Sequence, residues 1–236
     1  MEKTLHLHWL FDAEPPFFQI VIDAWKNALP DWQVNVVRGI QIPIPNTLLQ
    51  YITDDRIPPP FRSDLFRYWY MYQKGGVYVD FDTLPGGRPL EELLEHDCVL
   101  LKTSFYSQNR FFVDNSLMVS TPGHPFWEQT ILNALNPEKW LFPDFWFCGA
   151  NCFPRPEEYG VFITERTVEE VPPERAKAFV RNALTEKGSP QHYFTHYRVS
   201  KYLGIPGVGS PDNPVWLDIF DRYPDPVDPE DLFRDA

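Results

Sequence analysis

Cysteine is nearly absent from this chain: three of 236 residues, Cys98, Cys148 and Cys152. An odd, sparse set builds no disulfide framework, and Cys148 and Cys152 alone lack the partners of a zinc site, so all three read as ordinary thiols. Positive charge is also scarce, with 21 Lys and Arg against 33 Asp and Glu and a formal net charge of −12. That balance excludes nucleic acid as a partner, because binding a phosphate backbone needs a basic surface. It does not exclude a nucleotide sugar, whose phosphates a divalent cation and one or two arginines can neutralise locally. No run of 18 apolar residues occurs, and the N-terminus lacks a basic region followed by an apolar one. The expectation is a soluble, cytoplasmic chain without a transmembrane segment, any membrane association coming through its acceptor. No internal repeat is present.

Hydrophobic residues at 43% and aromatics at 16% are ample for one full domain with a large core. Residues 5–11 read as a first strand. After Pro15-Pro16, the span Phe17–Leu29 carries Phe18, Ile22, Trp25 and Leu29 at helical spacing. Pro30-Asp31 stops that helix, and residues 32–37 alternate as a second strand. Strand, helix and strand in this order open an α/β sheet. Residues 41–61, rich in proline, read as loop. Downstream, 98–102 and 116–120 read as strands, 126–135 and 174–184 as helices, 140–159 as loop. The tail from Pro211 is rich in proline and aspartate. The division expected is a domain over 1–210 and an extension over 211–236.

The helix expected at 62–74 is well punctuated. Ser63 suits the N-cap, Asp64 the positive first turn, Lys74 the negative end and Gly75 the terminating position. Leu65, Phe66, Trp69 and Tyr72 form one stripe; Asp64, Arg67, Tyr68 and Met71 form another. The second stripe holds an acid and a base suited to hexose hydroxyls, the carboxylate accepting and the guanidinium donating as a fork. A short buried strand follows, Gly76-Val77-Tyr78-Val79, ending in Asp80-Phe81-Asp82-Thr83. Strand positions i and i+2 share a face, so Asp80 and Asp82 are expected to converge on one cation, Mn²⁺ or Mg²⁺, through hard carboxylate oxygens. Trp9, at the end of the first strand, is placed to stack on a base. Asn115 suits a hydroxyl contact or a turn cap. His196 is the candidate for a metal or pyrophosphate contact, whereas His6, His8, His96 and His124 read as structural.

The set His8-Trp9, Ser63-Asp64-x-x-Arg67, Gly75-Gly76-x-Tyr78-x-Asp80-x-Asp82 and His196 resembles the glycosyltransferases with a DXD sugar-binding region. These include yeast-type initiating α-1,6-mannosyltransferases, α-1,4-galactosyltransferases, bacterial capsular enzymes and, more distantly, glucosylating clostridial toxins. The likeness is closest over residues 60–85 and extends to 5–38 and 113–127. It implies a single α/β domain of GT-A type with a mostly parallel, Rossmann-like central sheet flanked by helices. It also implies a UDP- or GDP-hexose donor, Mn²⁺ or Mg²⁺, a carbohydrate or glycolipid acceptor and retention of anomeric configuration. Asp64, Arg67 and Asp82 would be the catalytic set. Trp9, Ser63, Asp64, Arg67, Tyr78, Asp80 and Asn115 would bind the donor, and Asp80, Asp82 and His196 the metal. The family's late histidine leads to Ser-Trp, whereas here Ser200 is followed by Lys201, which leaves Arg198 or Lys201 to meet the diphosphate. Two other readings stand beside this one: a haloacid-dehalogenase-type phosphatase, whose Asp-x-Asp-x-Thr string Asp80–Thr83 matches in part, and a catalytically inactive nucleotide-sugar-binding relative.

Overall fold

A computed structural model describes residues 1–11, 14, 17–57, 59–102, 113–139, 152–164, 169–170, 191–196 and 232–233. The expected helix 174–184, Cys148, Arg198 and Lys201 lie outside the described residues, as does most of the tail from 211.

Six strands form the central sheet in the order β2 (Gln33–Arg38), β1 (Thr4–Trp9), β3 (Gly76–Val79), β6 (Val113–Ser120), β5 (Cys98–Lys102), β7 (Phe162–Thr164). β1 runs parallel to β2 and β3, β5 runs parallel to β7, and β6 is antiparallel to both its neighbours. The sheet is therefore mixed and mostly parallel, as expected of an α/β domain. A second, three-stranded sheet joins β4 (Thr83–Pro85), β9 (Phe194–His196) and β8 (Glu169–Glu170).

The alternation of side chains along the strands divides the interior in two. Leu5, Leu7, Val77, Val79, Leu117 and Val119 face α1 (Phe18–Ala28), packing against Phe18, Ile22 and Trp25. On the other face Tyr78, Leu100 and Met118 meet α3 (Pro59–Lys74) and α4 (Pro125–Ala134) through Phe61, Leu65, Phe66, Phe126 and Trp127. His6 and His8, which alternate with Leu5 and Leu7, point toward this second side, their rings at 4.9 and 4.4 Å from that of Tyr70. Leu232 is buried in the same cluster and Phe233 packs on Trp69 and Tyr72, so these two tail residues belong to the domain core.

Around α3 the structure corrects the sequence reading. The proline-rich stretch 41–61 holds a helix, α2 (Asn46–Thr53), and the first turn of α3. Pro59 and Pro60 open α3 because the first helical turn needs no donor and suits their fixed φ. Ser63 is therefore inside the helix and not its N-cap. The two stripes of α3 are both inside: Asp64, Arg67, Tyr68 and Met71 are buried along with Leu65, Phe66 and Trp69.

The glycine pair after α3 is required on steric grounds. Gly75 has φ +60° and Gly76 φ +85°. A Cβ at Gly75 would lie 2.5 Å from the Ser120 carbonyl oxygen, and one at Gly76 2.7 Å from Nε2 of His6. Only glycine lets the chain leave the helix and enter the centre of the sheet so abruptly.

Candidate active site

The site forms where β3 ends. Asp80 and Asp82 lie beyond the last strand residue, Val79, in the turn that leads to β4. The expectation that they share a strand face is thus corrected: turn geometry, not strand alternation, sets their placement. That turn is firmly held. The Asp80 amide donates to the Ser116 carbonyl (2.9 Å), Thr83 Oγ1 donates to the Asp80 carbonyl (2.6 Å), and Trp25 Nε1 donates to the Thr83 carbonyl (3.3 Å). Between the aspartates, Phe81 plunges into the α1 side of the core, stacked on Phe18 at 4.3 Å. Burying such a side chain contributes about 1.5–3 kcal/mol and anchors the turn at its middle.

Arg67 is the hub. It is 9% exposed. Its Nη1 donates to Asp80 Oδ1 (2.7 Å) and to the Asn115 carbonyl (3.3 Å); its Nη2 reaches Ser63 Oγ and Asp64 Oδ1, both at 3.4 Å. The guanidinium also lies over the Tyr78 ring, 5.0 Å from its centroid. Burial alone would pull the Arg67 pKa down; the Asp80 carboxylate, with Tyr78, Asp64 and Tyr68, outweighs it and holds the group charged, its pKa raised well above the ordinary value. Asp80 Oδ1 also accepts from the Tyr78 hydroxyl (2.6 Å). Burial pushes that phenol well above its usual range, so it stays a donor. Asn115 completes the set, its Nδ2 donating to Asp64 Oδ1 and to the Tyr68 hydroxyl, both at 2.9 Å.

A register shift in the β5–β6 ladder explains how Asn115 gets there. Leu100 pairs with Met118 but Leu101 pairs with Asp114, so residues 115–117 have no partners on β5. Such irregularities re-aim side chains at the edges of sites. The displaced stretch is closed by the Ser116 amide donating to Asp114 Oδ1 (2.6 Å).

Of the residues singled out in the sequence, Ser63, Asp64, Arg67, Tyr78, Asp80 and Asn115 thus form one network. Tyr78 is 2% exposed and reaches the site through Asp80. Trp9, half-buried at the end of β1, meets Phe11, Phe18 and Phe81 edge-on, which sets it beside the Asp80–Asp82 turn. Asp82 is half-buried in that turn. His196 is brought close by its backbone: it pairs with Thr83, the residue after Asp82.

Two residues beside this network were not among the site candidates read from the sequence. Tyr68 shares a helical stripe with Asp64 and Arg67, which could have marked it as the partner of Asn115. His8 sits behind Tyr78, ring centroids 4.9 Å apart, with no hydrogen-bond partner on either ring nitrogen. Burial, with the positive charge of nearby His6 and Arg67, pulls its pKa well below the ordinary value, so it is neutral.

The donor set suits a hard cation. Among the described residues no three His, Cys, Asp or Glu side chains gather as a cation cage. Mg²⁺ and Mn²⁺ at phosphate sites need less: one or two protein carboxylates, with substrate phosphates and water completing the shell. Asp80 and Asp82 on a rigid turn meet that requirement.

Residues 15–100 match the family described as "Glycosyltransferase sugar-binding region containing DXD motif". Over 84 residues the chain is 34% identical to "Mannosyl phosphorylinositol ceramide synthase SUR1" of Saccharomyces cerevisiae; the match covers 36% of this chain and 20% of that protein. Among solved structures, a glycosyltransferase involved in glycosylation of the major capsid of PBCV-1 aligns with TM-score 0.48 and 10% identity, over 85% of this chain and 96% of its own. The PaToxG glycosyltransferase aligns with TM-score 0.38 and 14% identity, over 58% of this chain and 60% of its own. The family match over residues 15–100 shows the likeness to DXD glycosyltransferases read from the Ser63–Asp82 motifs. Among the described residues no helix is long and apolar enough to cross a membrane.

Proposed function

We propose that this chain, whose residues 15–100 match the DXD glycosyltransferase sugar-binding region, transfers a hexose from a nucleoside-diphosphate sugar to an acceptor hydroxyl with a divalent cation. The observation that carries this reading is the buried Arg67 fork. It is held between Asp64 and Asp80 and flanked by the Asn115 amide, at the carboxyl end of a central strand where α/β sheets bind ligands. Asp64, Arg67 and Asn115 offer acceptors and donors for hexose hydroxyls, with Ser63 beside them. Trp9 takes the base of a UDP- or GDP-sugar. Asp80 and Asp82 serve the ribose and the metal, with His196 contacting metal or diphosphate. When bound, Mn²⁺ or Mg²⁺ neutralises the charge growing on the diphosphate leaving group. The chain's own contribution is to hold the donor rigidly: the buried hydrogen-bonded network fixes the hexose while the pinned turn fixes the phosphates. Retention of configuration belongs to this reading. The yeast relative is named for the synthesis of mannosyl phosphorylinositol ceramide, which favours a glycolipid among the carbohydrate and lipid-linked acceptors. The phosphatase reading of Asp80–Thr83 is disfavoured because that string opens the first strand of its domain, whereas here β1, β2 and β3 all precede the Asp80–Thr83 turn.

Calorimetry on two variants tests the assignment. Asp64→Asn should weaken the intact donor about ten- to a hundredfold, the loss expected for polar groups left unpaired in a closed site, yet bind the free nucleoside diphosphate with Mn²⁺ as the unaltered chain does. Asp82→Asn should lose metal-dependent binding of both ligands. Equal losses for donor and free diphosphate in Asp64→Asn would move Asp64 from the sugar to the phosphates.

A further inference from the structure

Resting on the proposed role of His196 at the metal, we infer that Gly86 is a positioning residue for that histidine, and that the loop 85–92 acts as its clamp. His196 is far from Asp82 in sequence, so something must deliver it. The structure shows the means. β4 and β9 pair through Thr83–His196, Leu84–Thr195 and Pro85–Phe194. The pairing continues past the strand end: the Gly86 amide donates to the Tyr193 carbonyl (2.8 Å) and the Arg88 amide to the His192 carbonyl (3.1 Å). Side chains close the loop over the same segment. The Arg88 guanidinium lies 4.5 Å from the Tyr193 ring centroid while its Nε and Nη2 donate to Glu92 (2.9 and 2.6 Å), and the Tyr193 hydroxyl reaches Glu92 at 3.5 Å.

Gly86 is where this clamp admits no side chain. A Cβ there would run into the His192 carbonyl oxygen, and the next nearest atoms, the carbonyl carbons of His192 and Tyr193, are also backbone. Backbone cannot rotate aside as a side chain would, so any substitution must push the 192–196 segment away from β4. Because β4 begins one residue after Asp82, that displacement acts at His196 without touching Asp80 or Asp82. The Asp80–Thr83 turn has its own anchors on Ser116, Phe18 and Trp25 and would stay in place.

Mn²⁺ binding to the full chain, followed by electron paramagnetic resonance, tests this apart from turnover. His196→Ala and Gly86→Ala should each weaken Mn²⁺ about 10–100-fold, the usual cost of losing or misaligning a metal contact. The double variant should be no weaker than His196→Ala, because both remove the same contact. Arg88→Ala, which loosens the clamp without a steric clash, should lose Mn²⁺ affinity in the same direction and show no added loss in the His196→Ala background; it decides the matter if Gly86→Ala does not fold. Full Mn²⁺ affinity in folded Gly86→Ala, no change in Arg88→Ala, or additive losses in the double variants would each overturn the inference. Unchanged Mn²⁺ binding in His196→Ala would also overturn it, while abolished binding in Asp82→Asn would leave the glycosyltransferase reading intact.

Discussion

Replacing Arg67 by methionine separates a buried hub from a surface ion pair. Methionine keeps most of the side-chain volume, so packing changes little and the missing charge dominates. The Asp64 and Asp80 side chains are 6% and 19% exposed, and without Arg67 neither has its cation. Removing one partner of a buried pair costs about 3–5 kcal/mol because the remaining charge is stranded. Asp80 is the more exposed and keeps the Tyr78 hydroxyl, and Asp64 keeps Asn115, which argues for the lower end, about 3 kcal/mol. For a chain of this size each kcal/mol moves the melting temperature about 2–4 °C, so Arg67→Met should melt about 6–12 °C below the unaltered protein at neutral pH. Adding Asp80→Asn removes one stranded charge and should recover part of the loss. Circular dichroism melts on the unaltered protein and the two variants measure both effects. A melting temperature within about 2 °C of the unaltered protein would refute the reasoning, since only an exposed pair is that weak.

Two further outcomes follow from groups around the site. Burial lowers the His6 pKa to about 4, with a Gly75 backbone hydrogen bond partly opposing, and burial also pulls His8 well below the ordinary histidine value. A lowered histidine pKa means that the unfolded chain takes up the proton first, so stability is full above about pH 6.5 and falls as pH drops toward 4, by roughly 3 kcal/mol through His6 alone. Denaturant melts should therefore weaken between pH 7 and 5, less so in His8→Phe; parallel profiles for the two proteins would contradict this. Separately, Trp9 fluorescence should respond to the nucleoside diphosphate of the correct base with Mn²⁺, and Trp9→Phe should abolish that change; an identical response would remove Trp9 from the base.

Much of the site was legible because it rests on short-range grammar. Asp64 and Arg67 sit three residues apart on a helix, Gly75-Gly76 marks where it ends, and Val77–Val79 is apolar enough to be a buried strand. Each rule acts within a few residues. What escaped depended on contacts distant in sequence or on local exceptions. Pro59 and Pro60 look like loop but open a helix, because a first turn has no donor to lose. The burial of Asp64 and Arg67 could not be read from spacing alone, since it depends on Asp80 and Asn115 arriving from β3 and β6. Asn115 itself is aimed by a register shift opposite Leu100 and Leu101, which no local pattern announces. His8 reads as an ordinary strand residue, and its isolation behind Tyr78 emerges only when α3 covers it.

The most direct test of the central claim is nucleoside diphosphate release from UDP- and GDP-hexoses by the full chain, with Mn²⁺ and with EDTA. The account predicts release from one donor class in Mn²⁺, none in EDTA, and none from Asp82→Asn that remains folded. Undiminished release in EDTA, or inorganic phosphate freed from a sugar phosphate with no turnover of any nucleotide sugar, would contradict it.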